Sequence, residues 1–236
     1  MTDFAIISFV TEYTMQPAEI AVAVEQRGFT ALGLPEHTHI PTSRKTPYLL
    51  GGDLPKEYWH SHDMSVAATA ALTATTTLEV GPAICLVTEH HPLTLAKTAA
   101  SLDCISGGRF FLGVGAGWNA EEMENHGIDV STRRVLVREK MLAIQALWSQ
   151  EVAEFHGEYV DFEPSWQWPK PVQQPRPRVL IGGAAGKILF AQLAEYADGW
   201  MPFGGSGMKV AWGPPATIFN VGFVSRMKLD NVSMTG

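Results

Sequence analysis

The sequence predicts an α/β fold, a (β/α)8 TIM-type barrel that is incomplete or altered at its C-terminus. Three observations predict it. Short apolar runs alternate with helical stretches, the pattern of buried parallel strands joined by crossover helices. No G-x-G-x-x-G follows the first strand, as an open dinucleotide-binding sheet would usually show. Gly- and His-rich connections follow several different strands, as a barrel with its chemistry at one mouth requires.

The elements follow in order. Phe4 to Val10 is a near-continuous apolar run and reads as the first strand. A helix from Pro17 to Arg27 has Pro17 in its first turn, Ile20 and Val24 on one face, and Gly28 at its C′ position. Phe29 to Leu34 is the second strand. The connection from Pro35 to Asp63 holds Pro41, Pro47, Gly51, Gly52 and Pro55; connections this long without periodicity are usually functional or disordered. An alanine-rich helix covers Met64 to Ala74, and Leu78 to Leu86 is the third strand. Pro92 opens a helix carrying Leu95, Ala99 and Leu102. Ser106-Gly107-Gly108 turns the chain into a fourth buried strand, Arg109 to Val114. Val137, Met141, Ile144 and Trp148 form one stripe of a helix over Arg133 to Trp148. Ala153 to Phe162 reads as a hairpin around His156-Gly157, and Pro164 to Pro177 as a connector. Arg178 to Ile181 is a strand, Gly186 to Ala197 a helix, Trp200 to Pro202 a short strand. From Gly204 helical periodicity is lost, and Val221 to Met227 is the candidate last strand. The count reaches about seven strands where a closed barrel needs eight.

Bulk properties narrow the function. Apolar residues make up 46% and charged residues 17% of 236, ordinary for a globular chain with a sizeable core. The formal net charge of −7 argues against nucleic acid or an anionic membrane as the main partner. Two cysteines, Cys85 and Cys104, offer no disulfide framework and suit a reducing compartment. The N-terminus lacks a basic stretch before its apolar run, and no apolar stretch reaches the ~20 residues that span a bilayer, so a cytoplasmic location is expected.

Several segments resemble the luciferase-like monooxygenase family. Leu34-Pro35-Glu36-His37-Thr38-His39-Ile40-Pro41 ends the second strand. Leu102-Asp103-Cys104-Ile105-Ser106-Gly107-Gly108-Arg109-Phe110 runs into Leu112-Gly113-Val114-Gly115-Ala116-Gly117-Trp118-Asn119, a string specific for that family. Trp168-Pro169-Lys170-Pro171, Ile181-Gly182-Gly183 and Tyr196-Ala197-Asp198-Gly199-Trp200 continue the match, which covers residues 3 to 205. The Pro-Glu-His-Thr-His-Ile-Pro string, Asn125-His126-Gly127 and Trp-Pro-Lys-Pro resemble the actinobacterial subgroup that uses the deazaflavin coenzyme F420. The resemblance implies a single barrel domain, a homodimer, and a hydride passed between coenzyme F420 and a small organic substrate, with FMN-dependent monooxygenation as the alternative. It also implies a final helix, strand and helix that Gly204 to Gly236 does not display.

The candidate site lies on strand ends. Glycines in Gly113-Val114-Gly115-Ala116-Gly117 let backbone approach a ring or phosphate, or form a tight turn. Asn119 is placed to donate to a ring carbonyl or phosphate. Gly182 and Gly183 precede a helix whose N-terminus suits an anion, with Lys187 either a supporting cation or a solvated side chain. At Ile84-Cys85-Leu86 the resemblance implies a bulge, often with a non-proline cis peptide, that backs the coenzyme ring; the plainer reading is a buried cysteine in a strand. His37 is the candidate proton carrier, because imidazole titrates near neutrality. Glu36 would orient His37 or hold the ring. His39, His60, His62, His90, His91 and His126 would face the same mouth, where Tyr48, Trp59 and Trp118 wall a substrate site.

Other classes remain open from the residues. His37-x-His39 with His60-x-His62-Asp63 is the set a metal-dependent hydrolase would use. A barrel that binds coenzyme without turnover is the third reading. No G-x-S-x-G nucleophile motif is present.

Overall fold

The computed structural model describes residues 4–202, 208–212 and 218–223. Its first half alternates as expected: β1 (Phe4–Ile7), α1 (Pro17–Gln26), β2 (Ala31–Leu34), a single turn α2 (Glu57–His60), α3 (Met64–Ala74), β3 (Glu79–Pro82), β4 (Cys85–Leu86), α4 (Pro92–Ser106) and β5 (Phe111–Gly115). Then come α5 (Ala120–Asn125), α6 (Arg133–Ser149), the hairpin β6 (Ala153–His156) and β7 (Asp161–Ser165), β8 (Arg178–Gly183), α7 (Lys187–Tyr196), β9 (Gly199–Pro202), β10 (Met208–Trp212) and β11 (Ile218–Phe223). Local chemistry sets the boundaries. Pro17 starts α1, Glu19 accepts from the Gln16 N–H at 3.1 Å, and Gly28 leaves the helix at φ +76°. Gly107, at φ +65°, ends α4 in the same way.

The main sheet runs β3-β2-β1-β11-β10-β9-β8-β5-β4. The expected third strand is broken at Ala83–Ile84, so β3 and β4 are one stave in two pieces. A parallel bridge from Val80 to Phe110 joins β3 to the start of β5. The nine segments therefore make eight staves, and the sheet closes. β10 is antiparallel to both β9 and β11, whereas β11 is parallel to β1. Among the described residues no helix separates β9 from β11. The altered C-terminus thus takes the form of a reversed stave. The sequence reading missed β10. It placed the last strand at Val221 to Met227, where Ile218–Phe223 is observed and 224–227 lie outside the described residues.

Period-two alternation sorts the side chains. Ile7, Ala31, Phe111, Leu180 and Met201 form a small cluster inside the barrel. Ile6, Leu32, Val80, Leu112, Val114, Val179 and Ile181 point outward into the larger core under the helices. Arg178 and Glu79 share the inward parity and form an ion pair. No helix among the described residues is long and apolar enough to cross a membrane.

The string that carries the family resemblance is largely scaffold. Asp103 is fully buried and accepts from the Val172 N–H (2.6 Å), the Gln173 N–H (3.0 Å) and the Gln173 side chain, tying the Pro-rich connector to α4. Arg109 donates to Ser106 O, Thr75 Oγ1, Leu78 O and Leu72 O, joining the ends of α3 and α4 to β3. Trp148 is buried and its indole donates to Ala96 O at 3.0 Å, a packing role as expected.

Candidate active site

The break in the third stave builds a platform. The Ala83–Ile84 peptide is cis, and both side chains project over glycines of neighbouring staves. A Cβ on Gly33 would lie 2.7 Å from Ala83 Cβ. One on Gly115 would lie 1.9 Å from Ile84 Cδ1, and one on Gly182 2.7 Å from Ile84 Cγ2. Gly33, Gly115 and Gly182 are therefore glycine because residues 83–84 occupy the space a side chain would need. Ala83 and Ile84 pack on the interior cluster and stay partly exposed above it. Ile84 thus lies on a bulge with a non-proline cis peptide, the local geometry expected there. Gly115 and Gly182 leave the space that the Ile84 side chain fills, and Ile84 keeps a partly exposed face.

Glu36 locks this platform to β2. Its carboxylate accepts from the Leu86 N–H at 2.7 Å and from His90 Nε2 at 2.9 Å, and the Cys85 thiol also bonds to it. Burial opposes ionisation of Glu36, but these bonds and the His90 charge outweigh it and hold the carboxyl below its ordinary value. The His90 imidazole is correspondingly raised: burial disfavours its charge, and Glu36 more than compensates. The Cys85 thiol is pushed well up by burial and then by Glu36. It is wholly buried, whereas Ile84 keeps a partly exposed face.

His37 points elsewhere. Its Nδ1–H donates to Glu122 Oε2 at 2.7 Å, with side chains only 5% and 1% exposed. In a neutral imidazole this bond keeps the proton on Nδ1 and leaves Nε2 as the acceptor. Glu122, not Glu36, orients His37; adjacent residues at the strand exit send their side chains to different partners. The His37 ring lies 5.2 Å from that of Tyr58 and 6.0 Å from that of Trp118. Tyr48 packs edge-on to both, and Phe9 lies 4.6 Å from Tyr58. Burial, then Tyr48, pushes the Tyr58 phenol up, so it stays neutral. The expected wall of Tyr48 and Trp118 is present. Trp59 is not part of it: it is exposed, and its ring lies tilted against His60.

Loops hold this wall. Glu121 accepts from Ser43, Lys45 and Thr46, fixing the 43–46 segment over α5, and its carboxyl falls to about 2, burial being overcome by the Thr46 hydroxyl and amide. Sequence reasoning missed α5 because Ala120–Asn125 is too short to show a period; Glu121 and Glu122 went unnoticed with it.

The remaining candidates divide. Ala116 follows β5 and is packed against the outer core, accepting from Thr88 Oγ1 at 3.3 Å. Gly117 turns at φ +80°. Asn119 is buried, and neither of its side-chain amide atoms has a hydrogen-bond partner among the described residues. Gly183 adopts φ +148° ahead of α7, whose N-cap lacks a side-chain bond, and Lys187 is solvated. His39 and His126 meet across Thr38. His60 instead pairs with Glu12 at 2.5 Å, and His91 is exposed, so the histidines do not all share the mouth. Neither His37 with His39 nor His60 with His62 and Asp63 forms a metal-ligand group among the described residues. The group that does is Glu36, Cys85 and His90, with donor atoms within 4.8 Å of one another. Its closeness follows from the N–H and S–H bonds that converge on Glu36.

A partly exposed aliphatic face seated on glycines is a surface that suits a flat ring cofactor. Such a barrel defines an oxidoreductase whose coenzyme performs the redox step while the protein orients it. The chain belongs to the luciferase-like monooxygenase family, whose sequence profile matches residues 13–213. It is 42% identical over 201 residues to an uncharacterised protein of Mycobacterium tuberculosis, covering 84% of this chain and 71% of that one. It is 31% identical over 129 residues to the FMNH2-dependent dimethylsulfone monooxygenase of Pseudomonas putida (53% and 35% covered). It is 26% identical over 199 residues to the F420-dependent glucose-6-phosphate dehydrogenase of Kineococcus radiotolerans (81% and 53% covered). Among solved structures, monooxygenase RslO1 from Streptomyces bottropensis superposes with a TM-score of 0.64 at 26% identity, covering 77% of this chain and 54% of that one. The chain spans about half the length of such solved structures. Members of the family are F420- or flavin-dependent oxidoreductases and monooxygenases, and metal-dependent hydrolysis is set aside.

Proposed function

We propose that the barrel mouth binds coenzyme F420 and that the protein passes a hydride between it and a small organic substrate. The carrying observation is the buried His37–Glu122 pair. A hydride taken from an alcohol leaves with a proton to be removed from oxygen, and His37 Nε2 is the acceptor that the Nδ1–Glu122 bond prepares. When bound, the deazaflavin supplies a two-electron hydride carrier without ready one-electron or oxygen chemistry. Ala83 and Ile84 back the ring, Glu36 keeps that support in register through Leu86, and the amides after Gly183 receive an anionic group. Tyr48, Tyr58 and Trp118 exclude water around the substrate. The F420-dependent relative supports this reading.

FMN with monooxygenation is the second reading, favoured by the Pseudomonas putida relative. Titration of the purified protein with coenzyme F420 and with FMN, following ring fluorescence, separates the two. Preferential binding of F420 is expected; saturable FMN binding with no F420 binding would sink the first reading. A homodimer in the cytoplasm belongs to the same proposal. Both cysteines are free, which suits a reducing compartment, and sedimentation tests the dimer.

A further inference from the structure

The 43–46 loop over α5 holds a cation that the fold itself leaves unused. Arg44 is half-buried, and its Nη1 is shut off from water with no hydrogen-bond partner among the described residues. The other half-buried arginines there are engaged. Arg109 donates to three carbonyls and to Thr75, Arg133 to Val130 O, and Arg176 and Arg178 pair with Asp198 and Glu79. The carboxylate that grips this loop does not serve Arg44. Glu121 accepts instead from the Ser43 hydroxyl (3.1 Å), the Lys45 N–H (2.5 Å) and the Thr46 N–H (3.0 Å). A charged donor kept from water without an acceptor is unfavourable.

The backbone presents this side chain at a cost. Arg44 has φ +50° and is the one non-glycine residue with positive φ among the described residues. Such a conformation persists where neighbours enforce it. Here Glu121 enforces it by holding the residues on both sides of Arg44. The guanidinium carbon stands 5.8 Å from the centroid of the Trp118 ring. That contact fixes the charge without giving its N–H groups a lone-pair acceptor. The His37 ring lies 6.0 Å from Trp118. Guanidinium and imidazole therefore stand no farther apart than those two distances together. Tyr48 and Tyr58 pack edge-on to the same indole.

We propose that Arg44 binds a carboxylate or phosphate group of the substrate, which makes the substrate an alcohol or carbonyl compound carrying such an anion. This rests on the reading in which His37 meets the reacting oxygen. The planar guanidinium takes either anion through paired N–H donors. The anion at Arg44 and the oxygen at His37 are then two ends of one molecule lying along Trp118. With a net charge of −7 the chain offers an anion no long-range attraction, so a local cation has to supply it. Arg44 selects and positions the substrate and takes no part in the hydride step.

Direct binding tests this without coenzyme or turnover. The full chain is titrated with inorganic phosphate and with acetate, using chloride at matched ionic strength as the control. The Trp118 indole N–H signal, identified by its loss in Trp118→Phe, is followed by NMR. A saturable shift with phosphate or acetate is expected, at least about tenfold weaker in Arg44→Gln and partly recovered in Arg44→Lys. Arg44→Gly relieves the backbone, so it should unfold at no lower temperature than wild type while losing the response. If neither anion gives a saturable shift, or if folded Arg44→Gln and Arg44→Gly bind as wild type does, the assignment fails. Coenzyme F420 also carries anionic groups, and a ring-fluorescence titration separates the two sources. Its affinity should be the same in Arg44→Gln as in wild type; a tenfold loss would move Arg44 to the coenzyme and overturn the substrate assignment. Failure of wild type to bind F420 would sink the hydride reading, while the phosphate and acetate titrations still decide whether Arg44 takes an anion.

Discussion

His37 Nδ1 and Glu122 Oε2 lie 2.7 Å apart in a buried pair that joins the exit of β2 to α5, 85 residues on. The bond holds the ring's tautomer and its direction together, and both are needed if Nε2 is to accept a proton.

Replacing Glu122 with Gln should therefore lower kcat about 100-fold, because the amide no longer favours imidazolium beside it. Coenzyme affinity should change little, since Glu122 does not touch the platform. Steady-state kinetics with a parallel fluorescence titration checks both; a weakened coenzyme with normal kcat would refute the assignment.

The platform makes a different demand. In Gly115→Ala the new Cβ would fall 1.9 Å from Ile84 Cδ1, so the Ile84 side chain must swing off its seat. A stability loss of about 1 kcal/mol is expected, because one flexible side-chain end can move. Coenzyme affinity should drop about tenfold. Adding Ile84→Ala should restore stability but not affinity, and a thermodynamic cycle of the two changes reads this out.

Asp103 should matter to folding alone. In Asp103→Ala the Val172 and Gln173 amides lose their buried acceptor, and stability should fall by about 3 kcal/mol. Denaturant unfolding measures the loss. The rate constant per folded molecule should stay at the wild-type value.

The Glu36–His90 pair predicts a pH window. Glu36 is depressed in the fold, so its contribution is present above the ordinary carboxyl value and fades as pH falls through the depressed one. His90 is raised, so its contribution is complete below about pH 6.5 and fades as pH rises through the raised value. His90→Gln keeps an N–H donor but not the charge. The Tm gap between wild type and variant should be widest near about pH 5–6 and narrow above neutrality. A gap independent of pH would show that charge plays no part.

Much of this architecture was legible beforehand. Ile6, Leu32, Leu112 and Val179 sit in apolar runs that suit buried parallel strands, and Gly28 and Gly107 mark helix ends by a conformation other residues avoid. Glu36 and His37 were singled out by their place at a strand end, and Ile84 by the family resemblance. Glu122 and Tyr58 were not: they lie on one-turn or two-turn segments too short to show a period, and nothing local distinguishes them from surface residues. Asp103 and Arg109 belong to the most recognisable string, yet they fasten connections and lie outside the site.

The sequence by itself determined the barrel, its strand order through the first six staves, and the family, because burial and glycine punctuation are written in local order. Only the tertiary structure decided which side chains face one another. Glu122 holds His37, and Gly115 and Gly182 seat Ile84, because barrel closure brings distant segments into one low-dielectric space.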